Sequence, residues 1–180
     1  MRVVAGTAGG LRLVAPTGQD TRPTSDRARE ATFNSLGSLG VVEDATVLDL
    51  FAGSGAMGIE ALSRGALQAT FVDNDERALR AIRANLTATK LADRATVVAA
   101  DAFTFLGTAG RHFDIAVLDP PYAFDRWSDV MAELPAGVAV LESDRPIDPG
   151  EGWTVVRTRR YGTTVVTICR RSSDPQENLT

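Results

Sequence analysis

The stretch Thr46-Val47-Leu48-Asp49-Leu50-Phe51-Ala52-Gly53-Ser54-Gly55-Ala56-Met57-Gly58 decides the fold. An apolar, β-type run ends in a glycine-rich turn and passes directly into a helical pattern that continues to Ser63. Glycines let a backbone approach a ligand closely, and the N-terminus of the following helix favours a polar or anionic group. A nucleotide-like cofactor is implied. The same strand–helix alternation extends downstream: 69–73 is strand-like, 76–90 strongly helical, 95–98 strand-like, 103–106 a short helix, 113–118 a strand, 127–134 a helix and 137–141 a strand. Such alternation predicts βαβ units in an α/β fold, a mostly parallel sheet with helices on both faces. The chain closes differently, because 153–159 and 163–170 are two strand-like runs separated only by Arg160-Tyr161-Gly162. That hairpin brings the total to seven strands and places one antiparallel strand at the sheet edge.

Upstream, Arg2-Val3-Val4-Ala5 and Leu11-Arg12-Leu13-Val14 flank a Gly-rich turn and predict a small N-terminal β-hairpin extension that projects from the core. With its polar link it occupies residues 1–22. The main domain is expected over residues 23–171, opening on a helix capped by Thr24 or Ser25, with Ala28, Ala31, Thr32, Phe33 and Leu36 at helical spacing until Gly37. Residues 172–180 are polar and aperiodic and are expected to be a disordered tail.

At 180 residues and 44% hydrophobic the chain suits one main core. It has no apolar run of membrane-spanning length and starts without a leader-like pattern, so a cytoplasmic, non-membrane protein is expected. Cys169 is the only cysteine and His112 the only histidine, which excludes an internal disulfide and a Cys/His metal site; no metal is expected. His112, next to Phe113 at the start of an apolar strand, is given no catalytic role. Residues 1–29 hold five arginines against two aspartates, a surplus of three; the overall charge of −4 leaves −7 for the remainder. The basic end is therefore the candidate for a polyanion.

The chemistry lies at strand ends. Asp49, Asp73, Asp101 and Asp119 each stand at or near the carboxyl end of a predicted strand, where open parallel sheets bind ligands. Asp73 follows Gly55 by 18 residues, suited to accepting hydrogen bonds from ribose hydroxyls. Asp119-Pro120-Pro121-Tyr122 then sets a carboxylate, a rigid turn and an aromatic face at one point, an arrangement suited to holding a planar amine. Gly53, Gly55 and Gly58 satisfy Gly-x-Gly-x-x-Gly, so an NAD-binding protein is a rival. However, Asp49 precedes the first glycine by four residues and no dehydrogenase-type acid/base is evident. A cofactor without a pyrophosphate needs less anion-binding backbone and more carboxylate, because a sulfonium and an amino group are cations. S-adenosylmethionine meets that requirement.

Over nearly its whole length the sequence resembles the class I, Rossmann-like S-adenosylmethionine-dependent methyltransferases, and in detail the RsmD-type 16S ribosomal RNA guanine-N2 methyltransferases. The resemblance rests on Arg2-Val3-Val4-Ala5-Gly6 with Gly10, Arg22-Pro23-Thr24, Arg27, Arg29-Glu30, Phe33-Asn34, the 49–58 loop, Phe71-Val72-Asp73, Asp101-Ala102, Asp119-Pro120-Pro121-Tyr122, Leu141-Glu142 and Tyr161-Gly162. It implies that Asp49 with the backbone of Phe51, Ala52, Gly53, Ser54 and Gly55 surrounds the methionine moiety. Asp73 then holds the ribose, Asp101 and Ala102 meet the adenine, and the segment bearing Arg22 and Thr24 closes over the cofactor. Asp73 stands where the family more commonly has Glu, with Asp75 as the alternative ribose acceptor.

The target implied by the resemblance is a guanine amine of 16S rRNA, in a 30S subunit or an assembly intermediate, acted on by a monomer. Asp119 and the Pro120 carbonyl would accept the two amine N–H bonds while Tyr122 stacks on the unpaired base. Arg2 and Arg12 of the hairpin, with Arg159 and Arg160 beside Tyr161, are the candidate phosphate clamp. A DNA adenine-N6 or cytosine-N4 methyltransferase, a protein-glutamine methyltransferase and a non-catalytic nucleic-acid-binding protein are the rival readings. Cytosine-C5 chemistry needs a nucleophilic cysteine, and Cys169 lies far from the tetrapeptide in sequence.

Overall fold

A computed structural model describes residues 1–16 and 26–172. Seven strands form one sheet: β1 (Thr46–Leu50), β2 (Gln68–Asp73), β3 (Ala95–Ala99), β4 (Phe113–Leu118), β5 (Ala136–Ser143), β6 (Trp153–Tyr161) and β7 (Thr164–Arg171). Their order is β3-β2-β1-β4-β5-β7-β6. The strands from β1 to β5 pair in parallel, while β7 pairs antiparallel with both β5 and β6. The one antiparallel strand is thus β7, and β6 lies outside it as the true edge. The reason is topological: the short turn after β6 lets β7 fold back, and β7 is the strand that fits against β5.

Helices cover both faces: α1 (Asp26–Ser38), α2 (Ala56–Ser63), α3 (Glu76–Thr89), α4 (Ala102–Thr108) and α5 (Trp127–Glu133), with a 3₁₀ turn at Ala92–Arg94. Phe33, Leu36, Ile59, Leu62, Ile82 and Leu86 pack with Val47, Phe71, Val117 and Val140 on one side. Leu106, Val130 and Met131 pack with Leu48, Leu118 and Leu141 on the other. Alternate residues of each central strand enter opposite cores, which is why those strands read as continuous apolar runs. No helix among the described residues is long and apolar enough to cross a membrane. The proposed helix caps Thr24 and Ser25 and all but Ser172 of the expected tail lie outside the described residues.

The N-terminal segment does not project. Arg2 and Arg12 form one isolated antiparallel bridge, and Val3, Ala8 and Leu13 are buried in the core beneath α1, α2 and α3. The hairpin is pulled inward by side chains that satisfy its backbone. The Glu60 carboxylate of α2 accepts from Val4 N at 2.7 Å and Ala5 N at 3.1 Å, and Ser63 Oγ accepts from Ala8 N at 2.9 Å. Gly6 is required where the segment crosses α2: its φ is 81°, and a Cβ there would lie 1.8 Å from the Ser63 carbonyl oxygen. Arg29 of α1, wholly buried, closes the knot by bonding to Asp26 at 2.8 Å and to the Arg2 carbonyl, with its Nε 3.7 Å from Glu60. Arg29 thus sits buried between the buried Ala28 and the exposed Glu30, which a charged residue at that position does not announce in the sequence.

Candidate active site

In the sheet order, β1 connects toward β2 on one side and is flanked by β4 on the other, so the crevice beyond their carboxyl ends is the topological switch point. Asp49 lies on β1, and Asp119 follows β4 directly. Register pairs Asp49 with Val117, so Asp119 stands just above it on the neighbouring strand.

Asp49 is 2% exposed, and its Oδ2 accepts from Gly58 N at 2.8 Å. Gly58 must be glycine for this approach, because a Cβ would lie 2.4 Å from the Phe71 ring. Burial pushes the Asp49 carboxyl up to about 8, and the nearby charges of Asp119 and Asp73 add to the rise against the pull of the Gly58 N–H. The folded protein thus holds a proton that an unfolded Asp49, at its ordinary value of 3.8, has lost. The folded state binds the extra proton between those two values, so stability is expected to fall as pH rises across that window and to level off above it. The melting temperature of the ligand-free protein should drop between about pH 4 and about pH 8, and Asp49→Asn should remove that drop. Melts of both proteins across that range check it.

The turn beyond β1 is tightly tied. Phe51 adopts φ 63°, a left-handed conformation costing about 1–3 kcal/mol for a residue with a bulky side chain. Its neighbours hold it there: Ala52 N donates to Val72 O at 3.0 Å, and Gly55 N donates to Ala52 O at 2.7 Å. Gly53 N donates to Asp73 Oδ2 at 2.8 Å, so the second strand's carboxylate orients the loop as well as facing the crevice. Ser54 is held from two sides, by Asn85 Nδ2 donating to its carbonyl at 2.8 Å and by Met1 Sδ 3.7 Å from its hydroxyl.

Other predicted residues are engaged differently. Asp101 caps α4, its Oδ1 accepting from Phe103 N at 3.0 Å and Thr104 N at 3.3 Å, with Ala102 buried as the first helical residue. Asp75 caps α3 and pairs with Arg77 at 2.7 Å, while Asp73 Oδ1 accepts from Asp75 N at 2.9 Å, so both candidate ribose acceptors already hold local bonds. Pro120 is buried and Pro121 exposed; the Pro121 carbonyl accepts from Phe124 N at 2.8 Å. Tyr122 is 41% exposed, with its hydroxyl 3.4 Å from Thr164 Oγ1 at the start of β7. Arg22 and Thr24 lie outside the described residues.

The four candidate RNA-contacting arginines divide. Arg2 and Arg12 are exposed on the docked N-terminal segment, with Arg2 Nε 3.5 Å from Asp26. Arg157 reaches Ser35 of α1 at 3.0 Å, and strand alternation puts Arg159 on that same face. Arg160 turns to the opposite face, 3.5 Å from the Asp144 carbonyl. Cys169 is buried in β7 against Ala139 O, and burial pushes its thiol up to about 12, so it is no nucleophile.

Several site residues escaped the sequence reading. Phe124 meets Phe51 and Trp127 edge-on, each at 5.3 Å, and stacks on Phe103 at 6.4 Å. The Arg126 guanidinium lies 3.8 Å over Phe103. Glu142, in the Leu141-Glu142 stretch that carries the resemblance but given no role by it, is 3% exposed; it follows Leu141 on β5, which is in register with Leu118, so it flanks Asp119. Asn85 carried a usable signal: it is a polar residue on the apolar stripe of α3, and such residues need buried partners. The aromatic group carried none, since Phe51, Phe103 and the Phe124–Trp127 stretch are widely separated along the chain.

A carboxylate-rich rim of Asp49, Asp73 and Asp119 around a close-approaching glycine turn suits a cationic, nucleoside-bearing ligand better than a pyrophosphate. Comparisons with known proteins agree. The family model described as conserved hypothetical protein 95 matches residues 1–170. Ribosomal RNA small subunit methyltransferase D of Haemophilus influenzae is 32% identical over 174 residues, covering 90% of this chain and 89% of that one. Its Escherichia coli K12 namesake is 43% identical over 122 residues, covering 68% and 60%. The solved structure of the Escherichia coli protein yhhF superposes with a TM-score of 0.84 at 32% identity, covering 97% of this chain and 99% of that one. By this match across nearly its full length, the chain belongs to the conserved hypothetical protein 95 family of RsmD-type methyltransferases.

Proposed function

We propose that the protein transfers a methyl group from S-adenosylmethionine to the exocyclic N2 amine of a guanine in 16S rRNA. The observation that carries this reading is the adjacency of Asp119, suited to aligning an amine, and the Asp49–Gly58 turn, suited to the donor, on neighbouring strands at the switch point. Relatives named ribosomal RNA small subunit methyltransferase D supply the substrate class. S-adenosylmethionine, when bound, supplies an electrophilic methyl on a sulfonium, so no covalent enzyme intermediate is needed.

The chain's own residues do the positioning. Asp49 and the backbone from Phe51 to Gly55 hold the methionine moiety, Asp73 the ribose, and Ala102 with the Asp101 backbone the adenine; Arg22 and Thr24 are assigned to the same site by family resemblance. Asp119 and the Pro120 carbonyl accept the amine N–H bonds, which points the nitrogen lone pair at the methyl, while Tyr122 stacks on the flipped base. The guanine amine is a poor nucleophile because its lone pair is delocalised, so alignment and removal from water are the main contributions. The working location is the cytoplasm, and the physiological substrate is the 30S subunit or an assembly intermediate.

The test incubates the protein and labelled S-adenosylmethionine with undermethylated 16S RNA, 30S particles and duplex DNA separately, then maps the modified base. Label at guanine N2 of rRNA supports the reading, and label confined to DNA overturns it. The RNA-binding arm of the proposal uses Arg2, Arg12 and Arg159. Arg159→Glu is expected to weaken 16S RNA binding several-fold and to reduce the salt slope by about one. Arg160→Glu, on the far face beside Asp144, should leave binding within about twofold. Filter binding over a salt series distinguishes the two.

A further inference from the structure

Asp49 is nearly sealed from water, yet the groups around it give its carboxylate little support. From α2 comes one donor, the Gly58 N–H. Asp73 of β2 and Asp119 after β4 face it with charge of its own sign. The other acid of α2, Glu60, is turned to the N-terminal segment and taken up by Val4, Ala5 and Arg64. No cationic side chain among the described residues shifts Asp49 toward its ionised form. A buried carboxyl in such surroundings keeps its proton until a positive charge arrives beside it.

We propose that Asp49 surrenders its proton to solvent when the methionine moiety of the cofactor binds, its carboxylate becoming the counter-ion of the ligand's ammonium group. The inference rests on the assignment of this site to S-adenosylmethionine. The balance is simple: the Asp49 O–H bond breaks, one proton leaves to the buffer, and a carboxylate–ammonium pair forms with no other bond changed. Binding is therefore coupled to pH, and affinity rises as pH rises toward the carboxyl's value in the empty site, about 8. The coupling also makes the site selective. A nucleoside without an amino-acid moiety brings no charge to draw the proton off, so Asp49 stays neutral and contributes nothing to its binding.

Isothermal titration calorimetry of the full chain with S-adenosylhomocysteine, which retains the ammonium, tests this in phosphate and in Tris at about pH 7, because the two buffers differ in heat of protonation. About one proton released per ligand is expected, with affinity rising up to tenfold per pH unit below about pH 8 and levelling above it. Adenosine should bind without proton release. Asp49→Asn, where it folds, should bind S-adenosylhomocysteine more weakly and without release; the wild-type comparison with adenosine stands independently of that variant. Binding of S-adenosylhomocysteine with buffer-independent heat and flat affinity from about pH 6 to about pH 8 would overturn the inference and leave the cofactor assignment intact. Failure of both S-adenosylmethionine and S-adenosylhomocysteine to bind would instead bring down the assignment itself.

Discussion

Replacing Asp119 with alanine is expected to lower methyl transfer by about 10²–10³-fold while changing S-adenosylhomocysteine affinity by no more than about threefold. The carboxylate has no covalent role, so what is lost is an acceptor that orients the amine as it becomes more acidic along the reaction. Removal of one such preorganised polar group commonly costs that much in turnover. Cofactor binding should survive because the glycine turn is held by other contacts: Gly53 by Asp73, Gly58 by Asp49 and Ser54 by Asn85. Removing Asp119 also takes one negative charge away from Asp49, which lowers the Asp49 value and favours binding slightly. Single-turnover kinetics with saturating cofactor, alongside calorimetry, separate the two effects. Near-normal turnover in the variant would refute the role assigned to this carboxylate.

The second large effect lies away from the chemistry. Glu60→Ala should destabilise the protein by about 3–5 kcal/mol, because it takes away the buried carboxylate that Arg29 Nε faces and leaves the wholly buried guanidinium paired with the partly exposed Asp26. It also removes the acceptors for Val4 N and Ala5 N and the 2.6 Å contact from Arg64. The N-terminal segment should then loosen as a unit, carrying Arg2 and Arg12 with it. Urea denaturation measures the stability, and amide exchange of residues 1–14 should accelerate more than that of the central strands. Glu60→Gln keeps an acceptor in place and should cost less. Equal protection of the segment in wild type and Glu60→Ala would show that apolar burial of Val3, Ala8 and Leu13 alone holds it.

The sheet was legible because its signals are local. Each central strand is a short apolar run closed by a carboxylate or glycine turn, and the helices between them repeat at their own period, so the boundaries of β1, β2 and α3 are readable within a few neighbouring residues. The acids at Asp49, Asp73, Asp101 and Asp119 were visible for the same reason. Their duties were less so. Asp101 and Asp75 cap helices, a use available to any Asp before a helix, and only the observed bonds to Phe103, Thr104 and Arg77 distinguish the cap from a ligand-facing acid.

What the sequence determined by itself is the α/β architecture, the glycine turn, the tetrapeptide after β4 and, through their combination, the family. Periodicity and punctuation encode these over short distances, where backbone preferences act directly. The tertiary structure alone decided that the N-terminal segment docks on α2, that β7 lies inside β6, that Arg159 and Arg160 face opposite ways, and that Asn85 and Glu60 each serve backbone from a remote part of the chain. The docking of the N-terminal segment and the duties of Asn85 and Glu60 depend on groups 31–71 residues apart satisfying one another's hydrogen bonds. The cost of leaving such groups unpaired is felt only once packing has brought them together and removed the water.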